Sequence, residues 1–513
     1  MKRSGLAALV LALLPSVATA QHEALEAGAR TISQADFAWR VGVMAHDSMQ
    51  GRGTPSTGLD MTAEWIASEF RRLGLRGGAE GGGFVQRYPL ETRELDTDRS
   101  AFAAGAARLA FGADLLPLFG SVEEGVAAGE IALVSGSGGL GRAAQRSVRG
   151  RHAVLVRAAG TNEMDRATYR LAGELRSAGA LSVLVTSDAD EEAWNADAAR
   201  ALRPSVTKGW GADGARDSGR SADFRPMLQI RTASLERALA GRGVDIRALV
   251  ARAREGIEVL AVTDLPATLI QRARKGSATA PNVIGILDGS DPDLRNEYVV
   301  YSGHMDHVGV GAPDESGDSI YNGADDDASG TAAVIEVAEA LASLDAAPRR
   351  SMLFVIVSGE EQGLWGSEWF SENPTLPLSA MVANLNADMV GRNWPDTIVA
   401  IGKEHSDLGA TLERVNAAHP EVGMTAIDDL WPEERFYFRS DHFNFARKGV
   451  PILFFFNGTH EDYHRPSDEP DRIDGEKAAR IAQLLYWLGI EIANAPERPK
   501  WNPESYARIV SER

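Results

Sequence analysis

The chain has 513 residues, 44% of them hydrophobic, a formal net charge of −19 and no cysteine. That length and apolar fraction supply core for more than one domain, while the missing thiols exclude disulfides, thiolate metal sites and a lipid-bearing cysteine. The acidic balance argues against nucleic acid or an anionic membrane as partner and suits a protein that holds cations.

In chain order, Lys2 and Arg3 precede the apolar residues 6–14 and the small-residue stretch Ala18, Thr19 and Ala20. This is the pattern of a cleaved signal peptide over residues 1–20, too short for a membrane anchor, so a periplasmic or secreted protein is expected. Thr57 and Gly58 then open a helix in which Ile66, Phe70 and Leu73 share a face, and Gly74 stops it. The Gly-rich residues 77–83 turn the chain into a strand from Phe84. Over residues 96–262 the texture shifts to Ala, Gly and Arg with short β segments at 130–138, 152–160 and 181–188. This stretch reads as a β-rich insertion into one discontinuous domain formed by 21–95 and 263–513. Within it, Gly136, Gly138 and Gly141 fit G-x-G-x-x-G. The next strand, from His152, arrives too soon for a crossover helix, and no acidic residue is placed for a ribose, so a dinucleotide site is set aside.

Beyond Pro281 the pattern alternates strand and helix. Strands are expected at 282–289, 297–304, 351–359, 381–388, 397–402 and 450–458, with helices over 328–344, where Ser329 stands near the cap, and 475–493. The run SMLFVIVSG is apolar throughout, as in a strand buried on both faces. The fold class is therefore α/β, a mostly parallel, mixed sheet covered by helices.

In open α/β sheets ligands gather at the carboxyl ends of strands. His304 and Asp306, Glu360 and Glu361, Asp388, and His464 all fall at or beyond such ends, and Asp325, Asp326 and Asp327 lie between a loop and a helix start. Imidazole and carboxylate donors without thiols suit zinc. Two histidines and three carboxylates exceed the needs of one tetrahedral ion and match two ions about 3.5–4 Å apart that share a carboxylate. Asp306, two residues after His304, is placed to accept that imidazole's second N–H. Glu360, beside a ligand, is placed to take a proton from a metal-activated water.

HMDH, GADDDASG, SGEEQGLWGS, NADMVG, FRSDH and YHRPSD, in that order, resemble the di-zinc exopeptidases that include bacterial leucyl aminopeptidases, glutamate carboxypeptidase and the non-catalytic transferrin receptor. The likeness runs from Pro281 to about Ala493 and includes the earlier segment AHDSMQGRGT. The insertion loosely resembles a protease-associated domain. The resemblance implies one zinc on His304, Asp326 and Asp388 and another on Asp326, Glu361 and His464, with Asp326 bridging. It also implies Glu360 as general base, Tyr437 as hydrogen-bond donor to the oxyanion, and a cis peptide after Asp326. His464 is preferred over His460 as ligand because it follows Tyr463 and precedes Asp468 by four residues; His460 is expected in an exposed loop. His307 and His442 are expected beside the site, not as ligands.

A peptide is the expected substrate. Aminopeptidase is preferred; a carboxypeptidase for acidic dipeptides, a glutaminyl cyclase and a metal-free receptor-like protein remain open. Trp431, Phe436 and Phe438 suggest an apolar pocket, whereas Arg439 suggests a carboxylate. Oligomeric state is left undetermined.

Overall fold

Three mainly apolar segments form the middle of a sheet in the computed structural model. Residues 22–118, 124–136, 138–157, 165–211, 224–252 and 256–511 are described; the leader read at 1–20 lies outside them. The chain divides into two compact units, one ending at Tyr88 and resuming over Thr279–Arg513, the other Pro89–Ala278. The sequence boundaries of 96 and 262 fall inside the second unit.

The first unit carries helices α1 (Gln34–Met44) and α2 (Thr57–Arg72). It continues with β1 (Ala273–Leu287), β2 (Tyr298–His304), α3 (Gly330–Ala342) and β3 (Ser351–Val357). Next come α4 (Trp365–Glu372), β4 (Met381–Ala387), β5 (Thr397–Ile401) and α5 (Leu408–Ala418). β6 (Thr425–Ile427), β7 (Ile452–Phe456) and α6 (Gly475–Asn494) complete it. The sheet runs β6-β5-β7-β4-β2-β3-β1. β7, β4, β2 and β3 are mutually parallel. β5 and β1 are antiparallel to their neighbours β7 and β3. Every residue of β2, β3 and β4 is buried, which is why none of them shows the polar alternation of a half-exposed strand, although β2 and β4 bury Ser302, His304, Asn384 and Asn386.

The helices follow their capping chemistry. Ser56 Oγ accepts from Leu59 N at 3.0 Å to start α2, and Leu59, Ala63, Ile66 and Phe70 form its buried face. Gly74, at φ 76°, ends it, with Leu75 N donating to Phe70 O. Asp474 caps α6 through Lys477 N at 3.0 Å, and α6 packs against α1, α3 and α5. α3 begins at Gly330, two residues later than expected, and Ser329 does not cap it: its hydroxyl donates to Asp325 O at 2.8 Å. Among the described residues no helix is long and apolar enough to cross a membrane.

The second unit has an eight-stranded sheet in the order 107–110, 101–104, 258–271, 125–135, 151–156, 182–187, 227–231, 115–117. The strands 125–135, 151–156, 182–187 and 227–231 are mutually parallel. Its helices include Arg142–Val148, Arg166–Ser177 and Glu191–Ala201, so its texture is α/β with antiparallel edges. Two apolar clusters serve it, one centred on Phe102, Leu133 and Leu184, the other on Val134, Leu155 and Val183.

Candidate metal centre

Four parallel strands end on one side of the sheet, and the chain leaves them through the residues that carry chemistry. His304 is the last residue of β2, Asp388 follows β4 directly, and Glu360 and Glu361 follow β3. His464 lies in the loop after β7. The helix start of α3 fits against the end of β4, where only glycine has room: a Cβ on Gly330 would lie 2.3 Å from Ala387 O and from Asp327 Oδ1.

The acidic triplet divides its labour. Asp327 Oδ1 accepts from Gly330 N at 2.9 Å and Met389 N at 3.1 Å, and its Oδ2 accepts from His304 N at 3.0 Å. Asp325 Oδ1 accepts from Gly391 N at 2.6 Å and Ser329 Oγ at 3.0 Å. Asp326 turns its carboxylate to the imidazoles of His304 and His464. Its Oδ1 lies 3.4 Å from His304 Nε2 and its Oδ2 3.1 Å from His464 Nε2. The Asp326–Asp327 peptide is cis.

Two donor groups share Asp326. His304, Asp326 and Asp388 form one, with His304 Nε2 3.6 Å from Asp388 Oδ1. His307, Asp326, Glu361 and His464 form the other, with His464 Nε2 3.1 Å from Glu361 Oε2. Donor bonds of about 2.0–2.1 Å in a tetrahedron set donors about 3.3–3.4 Å apart, the spacing expected of zinc ligands. His464 Nε2 reaches both carboxylates without the alignment of a hydrogen bond, as a nitrogen does when aimed between its neighbours. The residues therefore fit two zinc ions.

Burial, then Glu361, push the Asp326 carboxyl up, with His307, His464 and His304 opposing. Burial also pushes Glu360 well above the usual carboxylate range, opposed by His304 and reinforced by Asp441, Asp388 and Glu361. For His304, burial lowers its affinity for a proton, but Asp327 and Asp388 outweigh it and raise it well above the ordinary value. Adjacent anions of this density favour divalent cations over protons at neutral pH.

Asp306 supports the cluster differently from expectation. His304 Nδ1 donates to the Asp306 main-chain oxygen at 3.2 Å, with the carboxylate further off at 3.6 Å. The carboxylate is engaged by Thr54 Oγ1 at 2.9 Å and by Glu360 N at 3.3 Å.

A cavity of about 50 Å³ opens on the cluster, bounded by His304, Asp326, Glu360 and Asp388, an aromatic wall of Phe436, Phe454 and Phe456, and Arg439 and Tyr463. Of the three aromatics expected to form a pocket, Phe436 lines it; Trp431 meets Phe436 edge-on at 5.8 Å, and Phe438 meets Phe443 edge-on at 5.1 Å. Tyr437 is displaced from its expected role. It is 6% exposed, its ring stands edge-on to His405 at 4.5 Å, and the charges acting on its hydroxyl, after burial, come from Glu404 and Arg508. The tyrosine on the cavity is Tyr463, stacked on His464 at 3.9 Å, with its hydroxyl raised by burial and then by Asp326, Glu361, Asp388 and Glu360.

His460 is also corrected. Its side chain is only 4% exposed and Nε2 lies 3.2 Å from Asp325 Oδ2, so it holds the triplet's first carboxylate. His307 joins the second donor group, Nδ1 2.7 Å from Glu361 Oε1; its place in HMDH was the available signal. His442 stacks on Phe454 at 4.3 Å and hydrogen-bonds Tyr437 O.

The mixed sheet and this donor set define an α/β domain with two candidate metal-binding groups that share Asp326. Residues 282–488 match the model of peptidase family M28. The chain is similar to a probable zinc metalloprotease of Pyricularia oryzae, 28% identical over 42% of this chain and 50% of that protein. It is also similar to aminopeptidase YwaD of Bacillus subtilis, 24% identical over 43% and 47%. The chain spans about half the length of the curated relatives it matches. A solved zinc aminopeptidase from Bacillus subtilis, BSAP, shares the fold at a TM-score of 0.51 and 18% identity, covering 89% of this chain and 94% of that one.

Proposed function

We propose that the protein is an exported di-zinc exopeptidase that removes N-terminal residues from peptides. The observation that supports this most is Asp326, which offers one oxygen to each histidine-bearing group. Two zinc ions, one on His304, Asp326 and Asp388 and one on Asp326, Glu361 and His464, would polarise the scissile carbonyl and acidify a water. Glu360 takes the proton of the attacking water as its oxygen bonds to the carbonyl carbon. It returns that proton to the amine as the C–N bond breaks. Tyr463 donates its hydroxyl to the oxyanion that develops on the carbonyl oxygen. Asp306 fixes the turn after His304 and the main chain of Glu360 together. In this reading residues 89–278 are an accessory domain inserted in the catalytic one.

Arg439 favours a second reading, a carboxypeptidase or dipeptidase. It bounds the cavity, stacks over Phe436 at 4.7 Å, and meets Glu434 only at 3.7 Å with half its side chain exposed, so its guanidinium is available to a substrate carboxylate. A dipeptide panel separates the two. With a free amine and an amidated C-terminus, an aminopeptidase still releases the first residue. Blocking the amine abolishes release by an aminopeptidase but not by a carboxypeptidase. A chelator should stop either activity and zinc restore it. Turnover unaffected by chelator would overturn the metallopeptidase reading.

A further inference from the structure

The segment Gly51-Arg52-Gly53-Thr54 lies about 250 residues before the nearest metal ligand in sequence, yet it is built into the metal centre. Gln50, Gly51 and Arg52 have φ of 52°, 62° and 51°, a left-handed run that reverses the chain after α1. At Gly51 only glycine fits, since a Cβ would lie 2.5 Å from both Gly309 O and Tyr321 O. Arg52 is fully buried. Its guanidinium donates to Met44 O at 2.8 Å, Met305 O at 2.7 Å, Asn322 O at 2.6 Å and Gly323 O at 2.9 Å. Met305 stands beside His304, and Asn322 and Gly323 lead into Asp326, so one side chain sets the spacing of the two loops that carry these groups. Its own carbonyl accepts from His307 N at 3.3 Å.

Thr54 extends the connection to the proposed base. Its hydroxyl donates to Asp306 Oδ2 at 2.9 Å and accepts from Gly359 N at 3.2 Å. The other oxygen of Asp306 accepts from Glu360 N at 3.3 Å. The end of β3 and the turn after β2 are thereby fastened to each other through one threonine hydroxyl. A buried guanidinium with only carbonyl partners also places a permanent positive charge near Asp306, Asp326, Asp468 and Asp327, offsetting part of their mutual repulsion.

We propose that Arg52 and Thr54 are positioning residues of the metal centre: Arg52 sets the separation of the His304 and Asp326 loops, and Thr54 sets the placement of Glu360 against them. This rests on the metallopeptidase reading of the same site, and its test measures metal affinity separately from turnover. In the full-length protein, Thr54→Val removes the hydroxyl at nearly constant volume, Thr54→Ser keeps it, and Arg52→Lys keeps charge but not the planar fork. Zinc affinity is measured by competition with a chelating dye, fold by the circular dichroism melt of the metal-free protein, and turnover on a dipeptide.

Thr54→Val is expected to lower kcat by about 10–100-fold with KM within about threefold, and Thr54→Ser to recover most of it. Arg52→Lys is expected to weaken zinc binding by about 10–100-fold. If Arg52→Lys fails to fold, the threonine pair carries the decision. Wild-type kcat in Thr54→Val, or a loss that Ser does not rescue, overturns the assignment. If the wild type binds zinc but hydrolyses no peptide, the proposed function fails, and the zinc affinity of Arg52→Lys still decides the positioning role: weakened binding supports it and wild-type affinity in a folded variant overturns it.

Discussion

Glu360 and Glu361 are neighbours with opposite assignments, and exchanging either for glutamine tests both. Glu360→Gln preserves size and polarity and removes the capacity to accept a proton. The Glu360 main-chain N–H is held by Asp306 at 3.3 Å, so the substitution leaves the backbone in place. No group in the two donor sets depends on the Glu360 carboxylate. Zinc content should stay at that of the wild type while kcat falls by about 10²–10⁴-fold, the contribution of a positioned general base, or about 3–5 kcal/mol of barrier. Glu361→Gln should behave differently. Glu361 contacts His464 at 3.1 Å and His307 at 2.7 Å, and a neutral amide there removes one of the anionic donors of the second group. One zinc should be lost on dialysis while the group on His304 and Asp388 keeps its ion. The assay is elemental analysis of dialysed protein beside steady-state kinetics on a free-amine dipeptide. Metal loss in Glu360→Gln with full occupancy in Glu361→Gln would refute the assignment, as would undiminished kcat in Glu360→Gln.

Tyr463→Phe removes the one tyrosine hydroxyl facing the acids of the cavity, and kcat should fall by about 10²–10³-fold with zinc retained; Tyr437→Phe should leave kcat near wild type, and the reverse ranking would restore Tyr437 to the site. In the second unit, His152 is fully buried with Nδ1 2.8 Å from Ser182 Oγ, and burial holds its pKa down to about 4. Its stabilising contribution is intact above the unfolded value of about 6.5 and is lost as pH falls toward 4, by about 3 kcal/mol at pH 4. Urea unfolding of that unit in wild type and His152→Asn at pH 7 and pH 4 checks it: the variant should lose less stability on acidification, and equal losses would refute the linkage.

The centre of the fold was legible because β2, β3 and β4 are buried along their whole length, so β3 reads as a nearly unbroken apolar run and β2 and β4 as mainly apolar ones. Among the candidate ligands, His304 and Asp388 stand at strand ends, a position set by connectivity, whereas Asp326 precedes α3 and His464 lies in the loop after β7. Side-chain direction was not legible. Tyr437 and Tyr463 both sit beside recognisable motif residues, but the turn Phe436–Phe438 delivers Tyr437 to His405, a neighbour from a distant segment. His460 looked like a loop residue because its partner, Asp325, is 135 positions away. The limits expected at 96 and 262 differ from the division of the two compact units at Pro89 and Ala278 because the strands Val85–Leu95 and Ala273–Leu287 run through both boundaries without a break in pattern.

The acidic triplet shows how adjacent like charges coexist. The backbone around Asp326 points the three carboxylates at three different sets of partners. Asp325 and Asp327 accept hydrogen bonds from the main-chain N–H groups of His304, Gly330, Met389 and Gly391, so their oxygens are engaged by protein groups fixed in place. Those same bonds tie the end of β2, the start of α3 and the loop after β4 into one rigid frame. Asp326 is left without comparable donors around its carboxylate, and only histidines face it. A carboxylate held in a fixed frame and turned to histidines from two sides suits a shared metal ligand. The two flanking charges thus determine where the middle one stands, and the run of three is a single device.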